Sequence, residues 1–313
     1  MHPHRIQVLN GADDGSATTV VDPVSVEGKL AIGAHGGSPS RYFSGLIDEV
    51  RIYNRALSAA EVKQLYLAGR VNANTSQNIR FRDSSLVGEW SFDGPDVSFT
   101  ANKAYDRSGQ SNDGTLTNMS TSTAPVIGRI GQALSFDGSN DLVTVSNDTN
   151  FNVSNGTFGL WFRSDGGWGV DGTSGGTTVK GSTVLIGRHD ASGSQNGNLL
   201  ILSSTGLPNY VAKDATATVC SALGTASITD NKWHYYAATF GQANATVARV
   251  YIDGIQVATC TNSAAWSYNN QNVLIADSND PWWEEFAGLI DDVRVYNRAL
   301  TAAEVKQLYL LGR

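Results

Sequence analysis

Two kinds of side chain in this sequence could do chemistry: carboxylates set among apolar neighbours, and aromatic rings set in polar loops. Asp291 is the most telling carboxylate. If the run 288–296 (GLIDDVRVY) is a strand, alternation puts Asp291 on one face with Val293 and Val295. Ile290, Asp292, Arg294 and Tyr296 then share the other face. A carboxylate on an apolar face must be neutralised or heavily hydrogen-bonded. Two answers stand open. Asp291 caps turn amides, or it ligates calcium, a hard cation that gathers several carboxylate and carbonyl oxygens. Asp93 and the loop 106–114 (DRSGQSNDG), through Asp106 and Asn112, could complete such a shell, although the loop lacks the spacing and terminal Glu of an EF-hand. Asp137 with Asn140 and Asp141 reads as an ordinary hairpin turn.

The aromatic candidates are Trp282, Trp283 and Tyr268. The two Trp residues follow DSNDP (277–281) and precede Glu284-Glu285. Such rings stack on the apolar faces of sugars or anchor a protein partner. The alternative is that they fold back as a lid over a sheet edge. Trp90, Trp161 and Trp233 sit inside strand patterns and belong to the core. Cys220 and Cys260 close two predicted strands, and are either a disulfide between adjacent strands or a pair of reduced, buried thiols.

The elements that position these residues are strands. Short runs rich in β-branched and aromatic residues occur at 86–92, 133–136, 141–145, 157–163, 183–187, 198–202, 215–220, 233–240, 249–252, 256–260, 273–276 and 288–296. Gly, Asn, Asp and Ser clusters separate them, and Asp-Gly pairs at 137–138 and 253–254 mark tight turns. Strands in this number without intervening helices predict an all-β, two-sheet antiparallel sandwich. One helix stands out at the end: Thr301-Ala302-Ala303-Glu304 is a capping box, followed by Val305, Leu308 and Tyr309 as a short apolar stripe.

An internal repeat governs the domain organisation. Residues 45–70 (GLIDEVRIYNRALSAAEVKQLYLAGR) return at 288–313 with an offset of 243, and only positions 49, 52, 58 and 68 of the 26 differ. The same offset aligns Leu9-Asn10-Gly11 with Ile252-Asp253-Gly254. Residues 1–70 therefore read as the C-terminal part of a module that occurs complete at 86–313, joined by a polar linker at 71–85. Apolar residues such as Leu30, Ile32, Leu46, Val50 and Ile52 in the partial copy need a partner, which makes self-association through 1–70 an expectation.

Composition bounds the partners. The 313 residues carry 22 basic and 29 acidic side chains, a net charge of −7, which argues against nucleic acid or an anionic membrane as the main partner. With 41% hydrophobic and 16% charged residues the chain is too apolar for disorder. It has no apolar run of the ~20 residues that membrane insertion by a helix requires. The opening MHPHRIQVLNGADDG shows no apolar signal-peptide core.

The motifs LVGEWSFD (86–93), YDRSGQSNDGTL (105–116), GQALSFDGSNDLVTV (131–145), KWHYYAATF (232–240), VYIDG (250–254) and GLIDDVRVYNRALTAAEV (288–305) follow one another in an order that resembles LamG-like jelly-roll domains of the concanavalin A-like lectin/glucanase superfamily. The resemblance covers nearly all of 86–313, and only the last third of the pattern in 1–70. It implies a jelly-roll sandwich, a secreted or cell-surface setting, and a fold that hosts lectins, adhesion modules, enzymes and spacers alike. Glucanases of this superfamily carry paired carboxylates in the manner of ExDxxE. No such run occurs here, and neither His189 beside Asp190 nor His234 has a nucleophile at motif spacing. The expectation is a non-catalytic extracellular binding module, calcium-supported and glycan-binding. The rival expectation is a structural or adhesive spacer that contacts cell-surface protein.

Overall fold

The computed structural model describes residues 84–146, 149–166, 181–189, 196–268, 271–278 and 283–312. It also describes the backbone of four short strands lying outside those spans and the single positions 32, 43, 50, 52 and 62. Trp282, the first copy's capping box at 58–61 and the linker at 71–83 lie outside the described residues.

The chain divides into two compact units, Met1–Arg80 and Phe81–Arg313. In the first, β1 (Arg5–Leu9) pairs antiparallel with β2 (Ala12–Ala17). The second unit runs β3 (Leu86–Trp90), β4 (Val97–Ser98), β5 (Lys103–Ala104), β6 (Gly114–Thr117), β7 (Pro125–Ile127), β8 (Gln132–Asp137) and β9 (Leu142–Val145). It continues through β10 (Asn155–Arg163), the small hairpin of β11 (Thr173–Ser174) and β12 (Thr177–Thr178), β13 (Thr183–His189), β14 (Gly197–Leu202), β15 (Pro208–Lys213) and β16 (Thr218–Leu223). It closes with β17 (Trp233–Gly241), β18 (Val247–Ile252), β19 (Ile255–Thr261), β20 (Val273–Ile275), β21 (Ala287–Tyr296) and the helix α1 (Ala302–Leu311).

Two antiparallel sheets form a sandwich. The eight-stranded sheet has the order β19-β18-β17-β10-β21-β8-β7, with β3 also on β21. The nine-stranded sheet has the order β16-β15-β14-β13-β20-β9-β6-β5-β4. Trp90, Phe136, Phe158, Phe162, Tyr236 and Phe240 fill the space between them. The outer face of the eight-stranded sheet carries Trp161, Tyr235, Tyr251 and Tyr296, and Val305 and Leu308 of α1 close over it. The helix starts where the capping box predicts: the Glu304 N–H donates to Thr301 Oγ1, and the Glu304 carboxylate accepts from the Thr301 N–H at 2.7 Å.

Two sequence expectations need correction. The run predicted as one strand at 215–220 is a turn followed by β16: Asp214 Oδ1 accepts from the N–H groups of Thr216 and Ala217 and starts the bend. The strand before it, β15, was hidden by its Pro208, which a strand tolerates at its first residue. The second correction concerns Asp291. Simple alternation fails in β21, because Asp292 adopts φ 48° and the pairing with β10 shifts register between Gly159 and Trp161. The extra residue is a β-bulge. Ile290, Val293 and Val295 therefore face the inter-sheet core, whereas Asp291 stands opposite Trp161 on the helix side.

The repeat is structural as well as sequential. β1–β2 pairs Arg5↔Ala17, Ile6↔Ser16, Gln7↔Gly15, Val8↔Asp13 and Leu9↔Ala12, with an irregularity at Gln7/Val8. β18–β19 pairs Ala248↔Cys260 through Ile252↔Ile255 with its irregularity at Val250/Tyr251. Adding the offset of 243 converts each pair, and the bulge, into its counterpart.

Candidate functional site

The four carboxylate and amide candidates occupy two separate places. Asp106 organises its own loop. Its Oδ1 accepts from the Glu89 and Ser108 N–H groups, and its Oδ2 from the Ser108 hydroxyl and the Asn112 N–H, all within 2.7–2.9 Å. Asn112 is buried, donates Nδ2 to the Val87 carbonyl at 2.7 Å and accepts Trp90 Nε1 on its own carbonyl at 3.0 Å. This loop clamps β3 by hydrogen bonding, and the four acceptor positions of Asp106 are taken by protein donors.

Asp93 and Asp291 meet elsewhere, at the turn between β7 and β8. Antiparallel pairing of β3 with β21 brings them there. Asp291 Oδ2 accepts the N–H groups of Arg129 and Ile130 at 2.7 and 2.8 Å, and Asp93 Oδ1 accepts that of Gln132 at 2.8 Å. The close approach requires glycine: a Cβ on Gly128 would come 2.6 Å from Asp291 Oδ2, and one on Gly131 would collide with Asp93 Oδ1. Asp291 is fully buried, and its Oδ1 has no partner among the described residues. Burial is the main cause that pushes its carboxyl up to about 7, with the Asp292 and Asp93 carboxylates adding to it against the two backbone N–H donors.

As one calcium shell the set Asp93, Asp106, Asn112 and Asp291 does not fit. Asp106 and Asn112 are spent on β3, and among the described residues no group of three His, Cys, Asp or Glu side chains is placed to hold a metal ion. Of the two readings of Asp291, the capping of turn amides is visible directly. Asp137 likewise turns the chain, its Oδ1 accepting from the Ser139 and Asn140 N–H groups.

The aromatic candidates separate too. Tyr268 is half-buried against the inter-sheet core: its hydroxyl donates to Asn198 Oδ1 at 2.8 Å, the Arg188 guanidinium lies 4.4 Å over its ring, and Trp266 meets it edge-on. Trp283 is half-buried on the outer face of the nine-stranded sheet, over Val184, Leu199, Ile201 and Val211. The neighbouring Glu284 pins the segment to the sheet, its carbonyl accepting the Val184 N–H at 3.2 Å. The buried Nε1 of Trp283 has no acceptor among the described residues.

Cys220 and Cys260 form a disulfide, with Cα atoms 5.6 Å apart. They do not sit in adjacent strands of one sheet. Cys220 is on β16 and Cys260 on β19, the facing edge strands of the two sheets.

The family model described as concanavalin A-like lectin/glucanases superfamily (Laminin_G_3) matches residues 7–63 and 137–306, well over half of the chain. No curated protein sequence matches. Among solved structures, the binding domain of Paraclostridial Mosquitocidal Protein 1 is similar with TM-score 0.54 and 19% identity, over 72% of this chain and 52% of that one. Domain 4 of AbnA, an extracellular GH43 arabinanase of Geobacillus stearothermophilus in complex with arabinotriose, gives TM-score 0.51 and 20% identity over 72% and 98%. The binding domain of botulinum neurotoxin DC in complex with SialylT gives 0.50 and 13% over 74% and 52%. The chain thus spans about half the length of the toxin domains, and at these identities the likeness is one of fold. With the family match over both copies of the repeat, this chain belongs to the concanavalin A-like lectin/glucanases superfamily.

Proposed function

We propose that residues 81–313 form a non-catalytic, extracellular glycan-binding module that uses the outer face and rim of the nine-stranded sheet. The observation that carries the reading is the half-exposed Trp283 on its aliphatic floor. The helix closes the other sheet's outer face and aromatic side chains fill the interior, so a ligand is left the face where Trp283 lies. An indole on such a floor offers a ring for a sugar's apolar face. The arabinotriose bound to the arabinanase domain and the SialylT bound to the toxin domain support glycans as the ligand class. A disulfide joining the two sheets supports an oxidising, extracellular setting. Calcium enters the proposal only through Asp291 Oδ1, an orphan acceptor with Asp93 beside it, and EDTA should then lower the melting temperature.

The test is a glycan array followed by calorimetry on the best binder. Trp283→Ala should weaken binding at least tenfold while the protein keeps a cooperative melt, lowered by the packing lost over Val184, Leu199, Ile201 and Val211. If the wild-type protein binds no glycan, the spacer reading replaces this one.

A further inference from the structure

The aliphatic floor beneath Trp283 has a polar border. Leu199 and Ile201 of β14 and Val211 of β15 belong to that floor, and strand alternation fixes which neighbours share its face. Tyr210 and Ala212 point into the inter-sheet core, which leaves Asn209 with Val211 on the outer face. In the ladder Asn209 stands opposite Ile201, and Ser221 opposite Val211. Directly opposed residues of an antiparallel pair have Cβ atoms about 5 Å apart. Two residues of the floor thus each have a polar cross-strand neighbour. Leu223 of β16, opposite Asn209 on its other side, continues the same face and is 49% exposed.

The polar pair is bonded in one direction. The Ser221 hydroxyl donates to Asn209 Oδ1 at 3.1 Å. A hydroxyl that donates still accepts on its oxygen, and an amide that accepts on Oδ1 keeps two hydrogens on Nδ2. Ser221 is exposed and Asn209 half-buried, so both reach solvent. The face therefore presents one donor beside one acceptor. Two adjacent hydroxyls of a sugar ring complement that pair: one accepts from Asn209 Nδ2, and its neighbour donates to Ser221 Oγ. An isolated hydroxyl satisfies only half of it. The bond between the two side chains also fixes them before a ligand arrives, so less rotamer freedom is lost on binding. Trp283 over the floor and Leu223 on the far side of Asn209 supply apolar surface for the ring's C–H groups. We infer that Asn209 and Ser221 are the specificity-determining pair of the Trp283 face and select a glycan whose accessible sugar carries a vicinal diol. The inference rests on the glycan-binding reading of that face.

The experiment takes the full chain, the glycan that binds it best on an array, and analogues of that glycan whose accessible sugar lacks one hydroxyl at a time. Calorimetry compares wild type, Trp283→Ala, and Asn209→Ala combined with Ser221→Ala. The double variant should keep a cooperative melt and bind the parent glycan about tenfold more weakly. Wild type should lose affinity for two analogues, those lacking neighbouring hydroxyls, and the double variant should bind these two as it binds the parent. Should the double variant fail to fold, Ser221→Ala alone, which removes one exposed oxygen, should lose its sensitivity to one of the two analogues. A double variant that binds like wild type while Trp283→Ala does not overturns the inference and leaves the glycan reading standing. Sensitive hydroxyls that are not adjacent overturn it too, as does a double variant still sensitive to the same analogues. If wild type binds no glycan, both fall together.

Discussion

His234 bonds a carboxylate through each ring nitrogen: Nδ1 lies 2.9 Å from Asp253 Oδ2 and Nε2 3.0 Å from Asp230 Oδ1. Carboxylates only accept, and a neutral imidazole has one N–H, so both bonds together require the imidazolium. The hydrogen bond to Asp253 is the main cause that raises the His234 pKa, against partial burial beside Phe162. Lys232 shares Asp230 at 2.6 Å and works in the opposite sense. A histidine with a raised folded pKa contributes stability that is complete below the unfolded value of about 6.5 and is lost as pH rises through the folded value. NMR titration should therefore find His234 protonated above that value, and His234→Gln should flatten the fall in stability as pH rises above about 6.5. A His234 titration at or below 6.5 would contradict this. Asp291 gives the second prediction at this scale. Its carboxyl, raised from 3.8 to about 7 by burial, favours folding in its protonated form, so stability declines as pH climbs between those values. Asp291→Asn keeps an oxygen for the Arg129 and Ile130 N–H groups and removes the orphan charge. In EDTA at pH 8 the variant should be more stable than wild type by about 1–3 kcal/mol, read from chemical denaturation.

At the scale of elements, the disulfide joins two strands that share no sheet. β16 and β19 are edges, and the bridge between them closes one long side of the sandwich. In the chain-entropy account, a crosslink across a separation of 40 residues is worth about 3–4 kcal/mol. Replacing both cysteines with alanine should lower the unfolding free energy by that amount, and a loss below about 1 kcal/mol would mean that other contacts hold the two edges. Much of this layout is legible in the sequence. The strands at 86–90, 155–163, 233–241 and 287–296 fall within two residues of the expected bounds, because central strands buried on both faces read as unbroken apolar runs. The capping box reads directly as a helix start, since its two hydrogen bonds are local. The face of Asp291 was not legible: one residue at positive φ inverts the alternation, and nothing in the letters D-D-V announces it. Nor was the commitment of Asp106 to β3, which depends on contacts 17 residues away in sequence. Tyr268 resembled a surface ring because its loop is polar, but the Arg188 that covers it arrives from β13.

For the whole molecule, the question is which residues make the second unit a self-sufficient folding body. Its inter-sheet core draws on residues from Val87 to Val295, the cluster beneath the helix on Leu86 to Leu308, and the face under Trp283 on Val184 to Val211. The described members of the three clusters all lie within Phe81–Arg313. The disulfide and the helix cap lie inside the same span. A domain with its own core, its crosslink and its capped terminal helix should fold alone. Expressed in an oxidising compartment, 81–313 should give a single cooperative thermal transition, no free thiol, and the near-ultraviolet signal of its buried Trp90 and Trp161. A broad, non-cooperative transition with exposed tryptophans would mean that part of the core is supplied from outside the span. Here both sheets contribute to one inter-sheet cluster, and β21 ties that cluster to the layer beneath α1, so separate melting of the two layers is not expected.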